Sequence, residues 1–365
     1  MEYLGNEAVY DLLINLSKNE TIDLRTVTEK TLEDFSFGGE RAYQPAPSAA
    51  TRPNGQRTLF RPFTSDSAVG AKLVVTPPPR SDGKKEPLHG LIILLDALGH
   101  PTGLMAAEEV TGYRTSMNAM IPFCWRRHVE RIVIFGAGMQ ALWHTRLILS
   151  LRGDEVKRIA FVNPSKDRVD ALIETLSKEN ELRWRSRCSF DFLSSSAPNY
   201  QQQINARLSE ADCVFCTTPS QIPLFPAALL TERGTPDRQP FISAVGSWQP
   251  DMIELDPVLL HHAITASEGY NPVTGEEKGV VLVDDRDYAI ENAGEIIRSK
   301  IMAENMVELG LIIALRSGKI RPVSDRQIEE TNRFISEGAC YFGAHSEEGW
   351  PFVIFLAMGD LGRYT

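Results

Sequence analysis

The sequence predicts an α/β fold: a doubly wound parallel sheet in the middle of the chain, and a second, discontinuous α/β domain built from its two ends. Two observations predict the sheet. Short apolar runs alternate with helical stretches from about residue 130 onward, the pattern of βαβ units packed on a parallel sheet. A glycine-rich turn joins the first of those runs to the first of those helices. A third observation predicts the flanking domain. Ahead of residue 128 the order is helix, a long Pro- and Gly-rich stretch, then strand candidates. The expected division is 1–128 plus 322–365 for the flanking domain and 129–321 for the central one. A chain of 365 residues suits two domains, at roughly 150 residues each.

The elements follow in order. Residues 1–35 read as helical and partly amphipathic, and 37–60 as loop, being rich in Gly, Pro, Ser, Ala and Arg. Strands are expected at 58–61, 71–75 and 90–95, the last two separated by the excursion TPPPRSDGKKEPLH, which no regular element holds. A helical stretch covers 104–125. Then come strand 131–135, helix 139–150, strand 158–162, helix 165–177 and strands 213–217, 241–245 and 280–284. Residues 300–316 read as helix, and 332–365 have no clean period.

Charge and composition narrow the function. Lys plus Arg number 38 against 48 Asp plus Glu, a net charge of −10. That balance disfavours broad binding to nucleic acid or an anionic membrane, while leaving room for a local basic pocket. The start, MEYLGNEAVYDLL, lacks the basic and apolar regions of a secretion signal. No apolar run approaches the ~20 residues of a membrane span, so a cytoplasmic, reducing location is expected. Five cysteines, at 124, 188, 213, 216 and 340, do not make a disulfide framework. Cys213 and Cys216 lie in an apolar run without a second pair or a nearby histidine, and read as buried strand residues rather than metal ligands.

The strongest motif is RIVIFGAGMQA, 131–141: a GxGxxA turn placed directly after an apolar strand and opening a helix. Gly136 permits the tight turn, Gly138 lets backbone approach a pyrophosphate, Met139 and Gln140 open the helix, and Ala141 allows close helix–strand packing. The helix N-terminus offers free N–H groups and a positive dipole end to phosphates. This points to a Rossmann-type dinucleotide domain. The second strand should end at the adenosine ribose, and there stands Asn163-Pro164-Ser165-Lys166-Asp167-Arg168. A neutral Asn163 replaces the acid that would repel a 2′-phosphate, and Ser165, Lys166 and Arg168 supply donors and positive charge. NADP(H) is therefore expected over NAD(H). The same two cations also suit a solvated first helical turn.

The segments VGAKLVV (69–75), LLDALGHPTGLMAAEEVTGYRTS (94–116), IFGAGMQA (134–141), ADCVFCTTPSQIPLF (211–225), SAVGSWQPDMIELD (243–256) and VVLVDDRDYAIENAGEI (280–296) occur in the order of the ornithine cyclodeaminase/mu-crystallin family, which this chain resembles from about 50 to 300. The resemblance implies a Rossmann domain joined to an N-terminal α/β domain that forms a homodimer. It also implies a bound NAD(P)(H) and a small amino-, imino- or keto-acid substrate whose carboxylate is gripped by basic residues. The matching positions are Lys72 in AKLVV and Arg114 in TGYRTS; the third is best matched by Arg52, with Arg57 as the alternative. Read from residues alone, Arg114 also suits a salt bridge to Glu108 or Glu109, and Lys72 an edge-strand charge. By the same resemblance Thr115 reaches the cofactor phosphate, Thr217-Thr218-Pro219 passes the cofactor ribose, and Val245 and Gly246 lie near the nicotinamide.

Two departures stand out. Trp248 occupies the place where ornithine cyclodeaminases carry an aspartate for the side-chain amine, and an indole cannot pair with an ammonium as a carboxylate does. Asp251 and Glu254, downstream, read as structural. In FISEGACYFGA (334–344), Ile335 replaces the family's usual lysine. The expected activity is NADPH-dependent reduction of a C=N bond alpha to a carboxylate, or the reverse amino-acid dehydrogenation. The alternatives are an ornithine cyclodeaminase-type ammonia lyase with retained NAD and a non-catalytic NADPH-binding protein of the mu-crystallin kind.

Overall fold

The computed structural model describes residues 2–78, 88–232, 239–247, 249–265, 269–337 and 340–343. The chain divides into two compact units, the first running from Met1 to Arg114 and the second beginning at Thr115. Among the described residues no helix is long and apolar enough to cross a membrane.

The first unit contains β1 (Glu2–Leu4), α1 (Asn6–Ile14), α2 (Lys18–Ser36), β2 (Ser48–Thr51), β3 (Arg57–Thr64), β4 (Ala68–Thr76), β5 (His89–Asp96) and β6 (Pro101–Ala106). α2 starts at a capping box in which Ser17 and Glu20 satisfy each other's backbone N–H groups. Its Leu24, Thr28, Thr31, Leu32 and Phe35 are buried at helical spacing. The strands form a six-stranded sheet in the order β1-β6-β5-β4-β3-β2, parallel only between β1 and β6. Its two faces differ. Phe63, Lys72, Ile92 and Met105 share the covered face, whereas Val69, Ala71, Leu73, Leu91, Ile93 and Leu95 point the other way and stay partly exposed.

The stretch expected as loop over 37–60 therefore holds a strand and the start of another. Ser-Ala-Ala-Thr is too small and too polar to announce β2, and β3 carries Pro62, which normally argues against a strand. Pro62 is tolerated because it lies beyond Phe60, the last β3 residue paired with β2, so β3 has an open side there.

Helix α3 (Glu108–Trp125) runs across the division between the units. The second unit continues with β7 (Arg131–Phe135), α4 (Met139–Arg152), β8 (Arg158–Asn163), α5 (Lys166–Glu179), β9 (Ser189–Ser194), α6 (Tyr200–Glu210), β10 (Cys213–Cys216), α7 (Ala228–Thr231) and β11 (Phe241–Ala244). It ends with α8 (Pro257–Thr265), β12 (Val281–Val283), α9 (Arg286–Asn292), α10 (Gly294–Ser299), β13 (Met306–Glu308), α11 (Leu309–Arg316), α12 (Asp325–Ser336) and β14 (Cys340–Gly343). All eight strands are parallel, in the order β13-β12-β14-β11-β10-β7-β8-β9. β10, β11 and β12 are buried along their whole length, as strands covered on both faces must be. Cys213 and Cys216, three apart in a strand, project to opposite faces, which suits packing and not a shared metal.

Three differences from the sequence expectation are plain. The division falls at 114, inside α3, and not at 128. Of the tail from 322 expected with the N-terminal domain, the part up to residue 343 belongs to the second unit instead, its strand β14 lying between β11 and β12; the rest lies outside the described residues. The helix expected over 300–316 begins only at Leu309, after β13, and Leu104–Ala106 belongs to β6 rather than to the helix that follows.

Candidate functional site

The sheet changes winding direction between β7 and β10, where a doubly wound sheet opens its crevice at the carboxyl ends of the strands. The glycine turn sits there. Gly136 has φ of +121°, and a Cβ on it would lie 2.4 Å from the Thr217 hydroxyl oxygen, so only glycine fits. Gly138 is the N-cap of α4 and gives it no side-chain cap, while the space around its Cα is open. The first N–H groups of α4 thus meet no capping side chain, and Met139 stands exposed beside them while Ala141 is fully buried. This cradle fits a pyrophosphate.

The first turn of α4 is braced from below. The Nδ1 atom of His144 lies 2.7 Å from the Gln140 carbonyl and 2.9 Å from the Ser116 hydroxyl. A carbonyl only accepts, so Nδ1 carries the proton, and the Ser116 hydroxyl turns to the Gln140 side-chain oxygen at 3.4 Å. Burial pushes the His144 pKa down to about 4, keeping it neutral. Beside Ser116, Thr115 is 1% exposed and its hydroxyl has no hydrogen-bond partner among the described residues. A buried hydroxyl left in that state is suited to a ligand oxygen.

At the end of β8, the Asn163 side-chain oxygen accepts from the Ser165 N–H at 2.9 Å, and Ser165 caps α5 through the Arg168 N–H at 3.4 Å. Lys166 pairs with Asp170 one turn along, both exposed, and Arg168 is exposed.

The loops after β10 and β11 complete the edge. Thr217 donates from its hydroxyl to the Phe135 carbonyl at 2.7 Å, tying the β10 loop to the glycine turn's strand. Pro219 is exposed, and the Val245 N–H reaches the Cys216 carbonyl at 3.0 Å. Gly246 packs so tightly that a Cβ would lie 2.0 Å from the Thr218 carbonyl oxygen. The structure thus brings Gly136, Thr217, Thr218 and Gly246 together. Trp248 lies outside the described residues. Ile335, on α12, is buried, and its carbonyl accepts from Arg126 at 3.1 Å.

In the first unit, Lys72 is 1% exposed and Arg114 3% exposed. Arg52 is elsewhere: it is exposed, in the β2–β3 turn, where its N–H bonds to the Gln56 carbonyl at 2.8 Å. Arg57 pairs with Thr76, four residues along β4 from Lys72, hence about 13 Å away along the strand. The residue directly opposite Lys72 is Arg61, which sequence reasoning missed. The signal was present: Ser65-Asp66-Ser67-Ala68 is a turn sequence, and a turn there sets Arg61 against Lys72.

The sequence profile of the ornithine cyclodeaminase/mu-crystallin family matches residues 15–309. An uncharacterized cyclodeaminase of Dictyostelium discoideum is 30% identical over 227 residues, spanning 60% of this chain and 61% of that protein. Among solved structures, the Δ1-pyrroline-2-carboxylate reductase of Thermococcus litoralis, in complex with NADH and L-proline, superposes with a TM-score of 0.71 at 15% identity, over 100% of this chain and 98% of that one. An archaeal alanine dehydrogenase dimer with bound NAD gives 0.70 at 17% identity, over 99% and 96%. At these identities the two structures speak for the fold.

Proposed function

The chain belongs to the ornithine cyclodeaminase/mu-crystallin family, and on that footing we propose that it is an NADPH-dependent reductase of a C=N bond alpha to a carboxylate or, in the reverse direction, an amino-acid dehydrogenase. The observation that carries this reading is the pair of deeply buried cations, Lys72 and Arg114, in a chain that also presents an uncapped helix start after a glycine turn. Two buried cations at the positions where the family resemblance puts the acid grip suit a substrate carboxylate.

The second unit holds the dinucleotide: α4's open N–H groups and Thr115 take the pyrophosphate, Ser165, Lys166 and Arg168 the 2′-phosphate, and the loops at 217–219 and 245–246 the nicotinamide half. When bound, the nicotinamide supplies or accepts a hydride. The first unit holds the acid. Arg114 offers a planar fork that donates two parallel hydrogen bonds to a carboxylate, and Arg61 takes the role first given to Arg52, because it stands opposite Lys72. Fixing the carboxylate fixes the reacting carbon, which is catalysis by position. Lys72, beside another cation and away from water, is placed to give a proton to the developing amine nitrogen. The partly exposed apolar sheet face of Val69, Ala71, Leu73, Leu91, Ile93 and Leu95 suits a second copy of the chain, so a homodimer is part of the proposal.

The test is a panel of keto acids with amines, and of cyclic imino acids, assayed by NADPH absorbance. Oxidation of NADPH by an imino acid is the expected result. Tight NADPH binding without turnover of any member would favour the non-catalytic binder, and ammonia release from a diamino acid with retained NAD would favour the lyase.

A further inference from the structure

Beneath the strand ends lies a pair of buried carboxyls, Glu254 and Glu295, each with 0% exposure. Glu254 follows β11 and spans two loops at once. Its Oε1 accepts from the Thr218 N–H at 2.5 Å and the Thr218 hydroxyl at 2.8 Å, and its Oε2 accepts from the Gly246 N–H at 2.7 Å. Thr218 belongs to the loop after β10, Gly246 to the loop after β11. The two loops already touch where Gly246 meets the Thr218 carbonyl. Glu254 is in turn held by Glu295, the second residue of α10, whose Oε1 accepts the Glu254 N–H at 2.5 Å and the Leu255 N–H at 3.3 Å. α10 approaches closely because Gly294 has no side chain: a Cβ there would lie 1.7 Å from the Met252 carbonyl oxygen. The Gly294 N–H reaches the Ser247 carbonyl at 3.2 Å, which ties α10 to the β11 loop a second time.

We infer that Glu254 is a positioning residue, whose carboxylate fixes the loop after β10 against the loop after β11 and so sets the surface on which the nicotinamide half of the dinucleotide rests. The inference depends on the dinucleotide reading of the second unit. The geometry distinguishes it from ordinary packing. One carboxylate with three donors from two loops is a stiff link, because each N–H bond to a charged acceptor is stronger than a neutral one. Neither Glu254 nor Glu295 makes an ion pair among the described residues, so the carboxylate form of Glu254 draws its support from those loop donors. A neutral amide in its place would turn a donor toward Thr218 or Gly246, and the link would open.

The experiment compares Glu254→Gln with the unaltered protein in three readouts. These are NADPH affinity by fluorescence, affinity for 2′,5′-ADP (which carries only the adenosine end), and amide exchange of the cofactor-free protein over 216–220 and 244–247. The expected result is NADPH weakened about tenfold or more, 2′,5′-ADP changed less than about twofold, and faster exchange in both loops. If Glu254→Gln does not fold, Thr218→Val removes one donor only, and the same split is expected at about threefold. Unchanged NADPH affinity and exchange overturn the inference. So does an equal loss for both ligands, which marks a general defect. If the unaltered protein binds neither NADPH nor NADH, the dinucleotide reading itself falls, whatever the exchange shows.

Discussion

Arg61 on β3 and Lys72 on β4 occupy directly opposed positions of one antiparallel ladder, on the covered face of the first unit's sheet. Two cations on one face of a ladder can offer a carboxylate donors from both strands. Arg61→Ala is expected to raise KM for the acid substrate about tenfold to a hundredfold, the scale of a lost charge-assisted hydrogen bond, with NADPH affinity unchanged. Arg52→Ala is expected to behave like the unaltered enzyme. Steady-state kinetics on the best member of the substrate panel decides between them; the reverse ranking would return the role to Arg52.

Arg114→Ala is expected to raise the KM for the acid sharply, by about a hundredfold if both prongs of the fork are used. NADPH affinity, read by fluorescence, should stay within about twofold. Collapse of coenzyme binding in this variant would mean that Arg114 serves the dinucleotide instead.

Lys166 and Asp170 form an exposed pair one helical turn apart, which is worth only about 0.3–0.5 kcal/mol. Lys166 is therefore easily drawn to a phosphate. Lys166→Ala and Arg168→Ala are each expected to weaken NADPH by about tenfold and NADH by less than about twofold. Isothermal titration with both coenzymes checks this, and equal effects would remove the 2′-phosphate assignment.

Burial pushes the Glu295 carboxyl up to about 8 and Glu254 up to about 7, with the loop donors pulling Glu254 back down. The pair therefore holds a proton at neutral pH. Both acids ionise near 4.5 when exposed, so the folded form binds more protons than the unfolded one across the interval up to about 8. Stability from this site falls as pH rises through that interval. Thermal unfolding is expected to shift down by several degrees between pH 6 and about pH 9. Glu295→Gln removes one raised acid, and Glu254→Gln removes the other together with the like charge that helps raise Glu295, so each should flatten that dependence. An unaltered slope in both variants would show that the dependence arises elsewhere.

The second unit was far more legible in the sequence than the first. RIVIF followed by GAGMQA announces its strand, turn and helix because hydrophobic period and glycine chemistry coincide there. The short strand β9 and helix α6 left a fainter trace: Ser189–Ser194 is half polar, and α6 buries only Ile204 and Leu208. In the first unit β2 was hidden by its small residues, and β3 was legible only over 58–61, short of Pro62. Of the proposed site, the glycine turn and the two buried cations could be read from motif and resemblance. Arg61 could be reached only by reading the turn at 65–68 and following the register it sets, and Glu254 could not be read, because its role exists only once two loops distant in sequence are brought to one carboxylate.

β14 occupies the interior of the second sheet, between β11 and β12. Until residue 343 has left the ribosome, the eight strands can exist only as two fragments, β13 with β12 and the five from β11 to β9, each presenting an unpaired strand edge. Such edges are what holdase chaperones capture and what aggregation exploits. Synthesis of this protein thus imposes a waiting period that ends only with one of its last described segments. A premature stop codon upstream of Cys340 would leave a nascent product with both raw borders exposed.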